Sequence, residues 1–222
     1  GLPRIVVVHG DEEHSIAFDE EAYHLGLAGS FEYQTSVMRF TYSSMTTPER
    51  VYDYDMASRE RTLRKQQEVP SGHDPADYVT RRIQAPAADG ETVPVSLLYR
   101  RDTPLDGRAP VLLYGYGAYG YSMPAAFSTA RLSLVDRGFV YAVAHVRGGM
   151  EKGYRWYRQG RGIDKPNTFS DFIAAAEGLI AIEMASAGRI AAQGGSAGGM
   201  LVGAVANLRP ELFKAIVAQV PF

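Results

Sequence analysis

The sequence predicts an α/β protein whose sheet turns parallel along the chain and is entered from a separate antiparallel β segment. Three observations predict it. Residues 1–69 carry short runs of alternating polar and apolar residues and no sustained helical period. Beyond the breaker cluster Pro70-Ser-Gly-His-Asp-Pro75, strand-like and helical segments alternate. One of those strands meets a helix through a serine set among glycines, Gly194-Gly-Ser-Ala-Gly-Gly199.

In the first part, Arg39-Phe-Thr-Tyr-Ser43 and Val51-Tyr-Asp-Tyr-Asp55 alternate, and Thr46-Thr-Pro48-Glu49 supplies the turn between them. This is antiparallel β, a piece of a larger object such as a propeller or a sandwich. The basic run Arg59–Lys65 reads as a solvated strand edge, because no aromatics interleave with its charges for base stacking. The breaker cluster places a boundary between residues 1–71 and residues 72–222. Strand runs then fall at Tyr78–Gln84, Val93–Tyr99, Val111–Tyr114, Phe139–His145, Arg189–Gln193 and Ala215–Val220. Helices are expected at about Phe127–Asp136, Phe169–Met184 and Ala197–Asn207. Asn167 or Thr168 is placed to cap the second helix, with Asp171 closing a capping box.

Bulk properties exclude several functions. With 45% hydrophobic and 22% charged residues the chain lies well outside the disordered class. A net charge of −2 gives no steering toward nucleic acid or an acidic membrane surface. The chain has no cysteine, which removes disulfides, thiolate nucleophiles and cysteine–zinc sites and fits a reducing, cytoplasmic compartment. No apolar run approaches the roughly 18 residues of a membrane span. The first residues lack a basic region and a cleavage site for a signal peptide. The chain opens directly into the strand-like run Ile5–Val8 and stops straight after Ala215–Val220, so a fragment is expected.

The chemistry centres on Ser196. Gly194, Gly195, Gly198 and Gly199 flank it in a G-x-S-x-G pattern between a strand and a helix, the nucleophile elbow of the α/β-hydrolase fold. The glycines are needed there because the serine backbone is strained and side chains beside it would collide with strand and helix. The following helix aims its N-terminal amides at the same spot, and the Ala197 N–H is the expected first donor to an oxyanion. A second donor is sought in the loop Leu113-Tyr-Gly-Tyr-Gly-Ala-Tyr-Gly-Tyr121. Tyrosines at a strand end usually pack, but a hydroxyl at such a glycine-rich tip can also donate. An attacking serine needs a histidine base oriented by an acid. All five histidines precede Ser196, whereas this fold places base and acid after the serine. His145, at a strand end beside Arg147-Gly-Gly149, reads as a packing residue.

Taken together, the motifs resemble the prolyl oligopeptidase family of serine peptidases, in its oligopeptidase B branch. The resemblance covers nearly the whole chain. It is carried by Tyr42-Ser-Ser-Met-Thr-Thr-Pro-Glu-Arg-Val-Tyr-Asp-Tyr-Asp55, Lys65-Gln-Gln-Glu-Val-Pro70 and Val93-Pro-Val-Ser-Leu-Leu-Tyr-Arg100. Tyr114-Gly-Tyr-Gly117, His145-Val-Arg-Gly-Gly149, Asn167-Thr-Phe-Ser-Asp-Phe172, the Ser196 elbow, Arg209-Pro-Glu-Leu-Phe213 and Ala218-Gln-Val-Pro-Phe222 follow in the family's order. The resemblance implies the last strands and linker of a β-propeller, then the N-terminal half of an α/β-hydrolase peptidase domain. It implies Ser196 as nucleophile and the Tyr116 hydroxyl as the second oxyanion donor, leaving Tyr114, Tyr119 and Tyr121 with packing roles. It also implies an aspartate, a histidine and the acids that select basic P1 residues, all beyond Phe222, so that these 222 residues alone are expected to be inactive. Short peptides cut after Arg or Lys are the implied substrates, with a propeller that excludes larger ones and no cofactor or metal. Ser122-Met-Pro-Ala-Ala126 lacks the acids that favour a second basic residue in some members, so no strong dibasic preference is expected. An esterase on the same scaffold and a non-catalytic binding fragment are the rival readings, and the β segment ahead of the hydrolase strands speaks against the first.

Overall fold

Alternating large apolar and polar side chains build the first strands. A computed structural model describes residues 1–29 and 32–222. In it β1 (Val6–His9) and β2 (Glu12–Ser15) form a hairpin. β3 (Tyr23–Leu27), β4 (Val37–Ser44), β5 (Arg50–Asp55) and β6 (Arg61–Gln66) form a four-stranded antiparallel meander. Phe40 and Tyr42 on β4 turn inward to a small core with Ile5, Ile16 and Tyr54, while Arg39, just before Phe40, stays outside and pairs with Asp53 at 2.6 Å. The turn after β4 is fixed by Glu20, whose carboxylate accepts from Tyr42 Oη, Thr46 Oγ1 and Thr47 Oγ1 at 2.7–3.0 Å. β6 is exposed along its whole length at the sheet edge, the solvated edge expected for the basic run. These strands belong to one unit, residues 2–75 with residues 124–129.

The second unit holds residues 76–123 and 130–222. Its strands are β7 (Tyr78–Pro86), β8 (Thr92–Arg100), β9 (Val111–Gly115), β10 (Val140–Ala144), β11 (Ile190–Gly195) and β12 (Phe213–Gln219). They form one sheet in the order β12-β11-β9-β10-β8-β7. β7, β8 and β10 pair antiparallel, and from β10 to β12 every pairing is parallel. The helices are α1 (Thr129–Val135), α2 (Tyr154–Arg158), α3 (Pro166–Ala181) and α4 (Ala197–Leu208). β8 is buried at nearly every position, as a strand covered on both faces must be. Val93, Val95, Leu97, Val111 and Leu113 form the core with Phe172, Ala175 and Leu179 of α3 and Leu201, Val202 and Val205 of α4.

Two expectations are corrected. The start of α3 is not a capping box. Pro166 opens the helix at its first turn, Lys165 stands at the N-cap, and no side chain caps the end. The supposed capping residues are drawn into tertiary contacts: Asn167 Nδ2 donates to Gln159 O, Thr168 Oγ1 to Arg147 O, and Asp171 binds Arg147. The short helix α2 also lay outside the sequence reading, because five residues cannot display a helical period.

Topology then decides where chemistry can gather. β9 lies between β10 and β11, so the chain reverses its direction of winding there, and such switch points open a crevice at the carboxyl ends of the strands. β9 and β11 run parallel with Gln193 opposite Tyr114. Two residues past Tyr114 stands Tyr116, and three past Gln193 stands Ser196. Both therefore leave the sheet at the same end.

Candidate active site

Ser196 joins β11 to α4 with φ 55° and ψ −119°, the strained elbow backbone that the glycine pattern predicts. A non-glycine residue in such a region costs on the order of 1–3 kcal/mol and persists only when its surroundings hold it. Here they do: Ser196 N–H donates to Gln219 O at 2.8 Å, and its carbonyl accepts from Gly199 and Met200. The serine side chain makes no capping bond and is half-buried, so Oγ is available for chemistry. The Ala197 N–H opens α4 directly behind it.

Two of the four elbow glycines are required sterically, and a third sits tightly. A Cβ on Gly194 would overlap the Gly198 carbonyl, and one on Gly198 would overlap the Gly115 carbonyl. One on Gly199 would press on Gln219 O and Pro221 at 3.0 Å. Gly195 differs from the expectation, since an added Cβ would meet only Gln219 at 3.9 Å, an ordinary contact. Gly198→Ala should therefore lose about 1–3 kcal/mol of stability by overpacking, while Gly195→Ala should stay within about 0.5 kcal/mol. Urea unfolding of the two variants side by side checks this, and equal losses would contradict the steric account.

The same Gly198 contact ties the elbow to the tyrosine turn, for the Cβ position lies 3.3 Å from Tyr116 Cα. The Tyr116 ring is half-buried and its hydroxyl has no partner among the described residues. Tyr114 is half-buried in β9, whereas Tyr119 and Tyr121 are 71% and 56% exposed. Their rings stand 6.4 and 5.8 Å from that of Tyr116, so they flank it instead of filling the core.

Behind this turn lies a second one, Arg147-Gly148-Gly149. Gly117, at φ 69°, has no room for a Cβ against Thr168 and Val146, and the Gly117 carbonyl occupies the place of a Cβ on Gly148. Gly120 N–H donates to Gly148 O at 2.9 Å. Lys165 reaches in from the N-cap of α3 and donates from Nζ to Gly117 O at 2.5 Å. Burial pushes its ammonium down to about 8. Arg147, only 2% exposed, is held by Asp171 through Nε and Nη2 and through its own backbone N–H, and by Asp89 through Nη1. Burial opposes the Arg147 charge, and the two carboxylates more than offset it, so the guanidinium is held above its ordinary range. Sequence reasoning missed Lys165, Asp89 and the true partner of Asp171; Arg147 stood inside a quoted motif without a role, and Asp171 was assigned to a capping box.

His145 is the one histidine of this unit, and it is sealed. Nε2 lies 2.8 Å from Ser96 Oγ and 3.3 Å from Arg82 Nη1, while Nδ1 faces Glu151 Oε1 at 3.4 Å. Burial lowers its pKa, which favours the neutral ring. Ser96, His145 and Glu151 thus form a serine–histidine–acid line, and full burial of Ser96 closes it to any substrate. The packing reading of His145 agrees with this geometry. Among the described residues no group of His, Asp and Glu is arranged to hold a metal ion, and no helix is long and apolar enough to cross a membrane.

Comparison with known proteins decides the lineage. Residues 1–67 match the model for the N-terminal β-propeller domain of prolyl oligopeptidase, and residues 125–222 match that of the Prolyl oligopeptidase family. The chain belongs to the prolyl oligopeptidase family. Within it, the chain is 48% identical to dipeptidyl aminopeptidase BI of Pseudoxanthomonas mexicana, over 99% of this chain and 30% of that protein. It is 40% identical to Protease 2 of Moraxella lacunata, over 100% of this chain and 32% of that protein. The structure superimposes on oligopeptidase B of Trypanosoma brucei with covalently bound antipain at a TM-score of 0.92 and 42% identity, covering 100% of this chain and 33% of that one. The chain therefore spans about a third of the length of the family members it matches. The antiparallel unit accordingly belongs to a β-propeller, and the mixed sheet to the start of the family's peptidase domain.

Proposed function

We propose that Ser196 is the nucleophile of a serine oligopeptidase that cuts short peptides after Arg or Lys through an acyl-enzyme. The observation that carries this is the strained Ser196 backbone at the β11–α4 elbow, seated against the turn that bears Tyr116. Oγ attacks the scissile carbonyl as its proton passes to a base, giving a tetrahedral oxyanion. The Ala197 N–H and the Tyr116 hydroxyl receive that charge. Collapse breaks the C–N bond, the amine leaves with a proton, and water then hydrolyses the ester on Ser196. His145 is not the base, because both its nitrogens are engaged and it is sealed from the elbow's surface. The base comes from outside this unit.

Specificity after basic residues rests on the likeness to oligopeptidase B, at 42% identity. A second reading, removal of N-terminal dipeptides, is favoured by the 48% identity to a dipeptidyl aminopeptidase. The whole protein tests both. A fluorophosphonate probe should label Ser196, and an N-blocked arginyl amide should be cut. Turnover confined to dipeptidyl amides with a free amino end would select the second reading, and absence of labelling would remove both.

Tyr116→Phe should lower kcat about 10²–10³-fold with little change in KM, because the hydroxyl meets charge present only in the transition state. Steady-state kinetics on the arginyl amide reads this directly. A change confined to KM would make Tyr116 a substrate-binding or packing residue.

A further inference from the structure

Lys165 breaks local rules in three ways. It stands at the N-cap of α3, where the helix dipole disfavours a positive charge and a small polar residue is the ordinary choice. It is half-buried, and burial of an ammonium is unfavourable. Among the described residues no carboxylate pairs with it, and the one hydrogen bond of its ammonium runs to the carbonyl of Gly117. Such a conflict marks a place where something other than helix stability selects the residue.

What the ammonium grips is the carbonyl of the residue that follows Tyr116, in the Gly117–Ala118 peptide. The Tyr116 backbone is pinned on its other side as well, where the Gly115 carbonyl lies against Gly198 at the elbow. On the near side the Gly117 carbonyl is lodged against Gly148, with Thr168 and Val146 closing the space around Gly117. These close approaches stop the turn from moving inward. Among the described residues the Lys165 ammonium is the hydrogen-bond donor to that buried carbonyl, so it is the contact that satisfies the acceptor and holds it in place. A charged donor is stronger than a neutral one and so narrows the range of the turn. Displacing a donor by about 1 Å from a developing charge can lower a rate 10²-fold.

We propose that Lys165 is a positioning residue that holds the Tyr116 hydroxyl at the oxyanion by fixing the Gly117 carbonyl. This rests on the reading of Tyr116 as an oxyanion donor. Lys165 touches no reacting atom, so its effect must pass through Tyr116.

A double-mutant cycle in the whole protein tests this, with kcat and KM for an arginyl amide measured on the unmodified enzyme, Lys165→Met, Tyr116→Phe and the double variant. Lys165→Met should lower kcat about 10–100-fold with KM within about threefold. In the Tyr116→Phe background the same change should lower kcat less than about threefold, because the group it positions is gone. Lys165→Arg, which keeps a charged donor, should recover most of the loss. If Lys165→Met lowers kcat equally in both backgrounds, the lysine acts on the fold at large and the proposal falls. If Tyr116→Phe alone leaves kcat unchanged, the oxyanion reading of Tyr116 fails instead, which is a separate outcome. Should Lys165→Met fail to fold, Lys165→Gln takes its place in the cycle. If neither folds, Lys165 is a folding determinant and the positioning role is overturned.

Discussion

Ser196→Ala in the whole protein is expected to lower amide hydrolysis by about 10⁴–10⁶-fold and to abolish fluorophosphonate labelling. The size follows from what is removed. In the proposed mechanism attack, proton transfer and acyl-enzyme formation all pass through Oγ, so no remaining group can take over part of the step. What survives is the oxyanion arrangement and substrate binding, which together still exceed uncatalysed hydrolysis. The substitution should leave the fold intact. The elbow is held by Ser196 N–H on Gln219 O and by the Gly194 and Gly198 close approaches, none of which uses the side chain. Circular dichroism and unfolding therefore serve as controls. Activity within tenfold of the unmodified enzyme would remove Ser196 from the mechanism.

Asp171→Ala is expected to lose about 3–5 kcal/mol of stability, the range for breaking one side of a buried ion pair. Asp171 is fully buried and accepts from the Arg147 guanidinium and backbone N–H alike. Its removal leaves Arg147 with Asp89, whose side chain is 45% exposed and screened by solvent. The buried guanidinium would then keep only this solvent-screened partner, and the buried Arg147 N–H would lose its acceptor. Urea unfolding of the whole protein, or of any stretch that unfolds with this unit, gives the value. A loss below about 1 kcal/mol would mean that water or Asp89 replaces the carboxylate, and that the clamp matters little. Activity should fall along with stability, because Arg147 anchors the turn on which Gly117 rests.

Much of this was legible in the sequence for a physical reason. Strands such as β8 and β9 declare themselves by β-branched and apolar runs, and the elbow by glycines that a close approach demands at Gly194 and Gly198. The tyrosine turn was visible through its glycines, although residue pattern alone left donor and packing roles open. What stayed hidden depends on partners far apart in the chain. Asp171 has the look of a capping residue, and only the fold brings Arg147 to it. Lys165 looks like any surface lysine until Gly117 O is seen beneath it. Gly195 shares the motif's spacing without its steric need, since periodicity reports identity and not the free space around an atom.

The placement of β9 beside β11 has a kinetic side. Val111 pairs with Ile190, about 80 residues later, with β10, α1, α2 and α3 intervening. Tyr116 and Ser196 cannot meet until that long segment has closed on itself, and non-local contacts of this kind reward the chain only after its loop entropy is lost. If Ser196 reacts as proposed, its fluorophosphonate labelling is expected late during refolding, after far-ultraviolet ellipticity has recovered. During unfolding it should vanish with the β9–β11 pairing and not with the fraying of α1, α2 or α3.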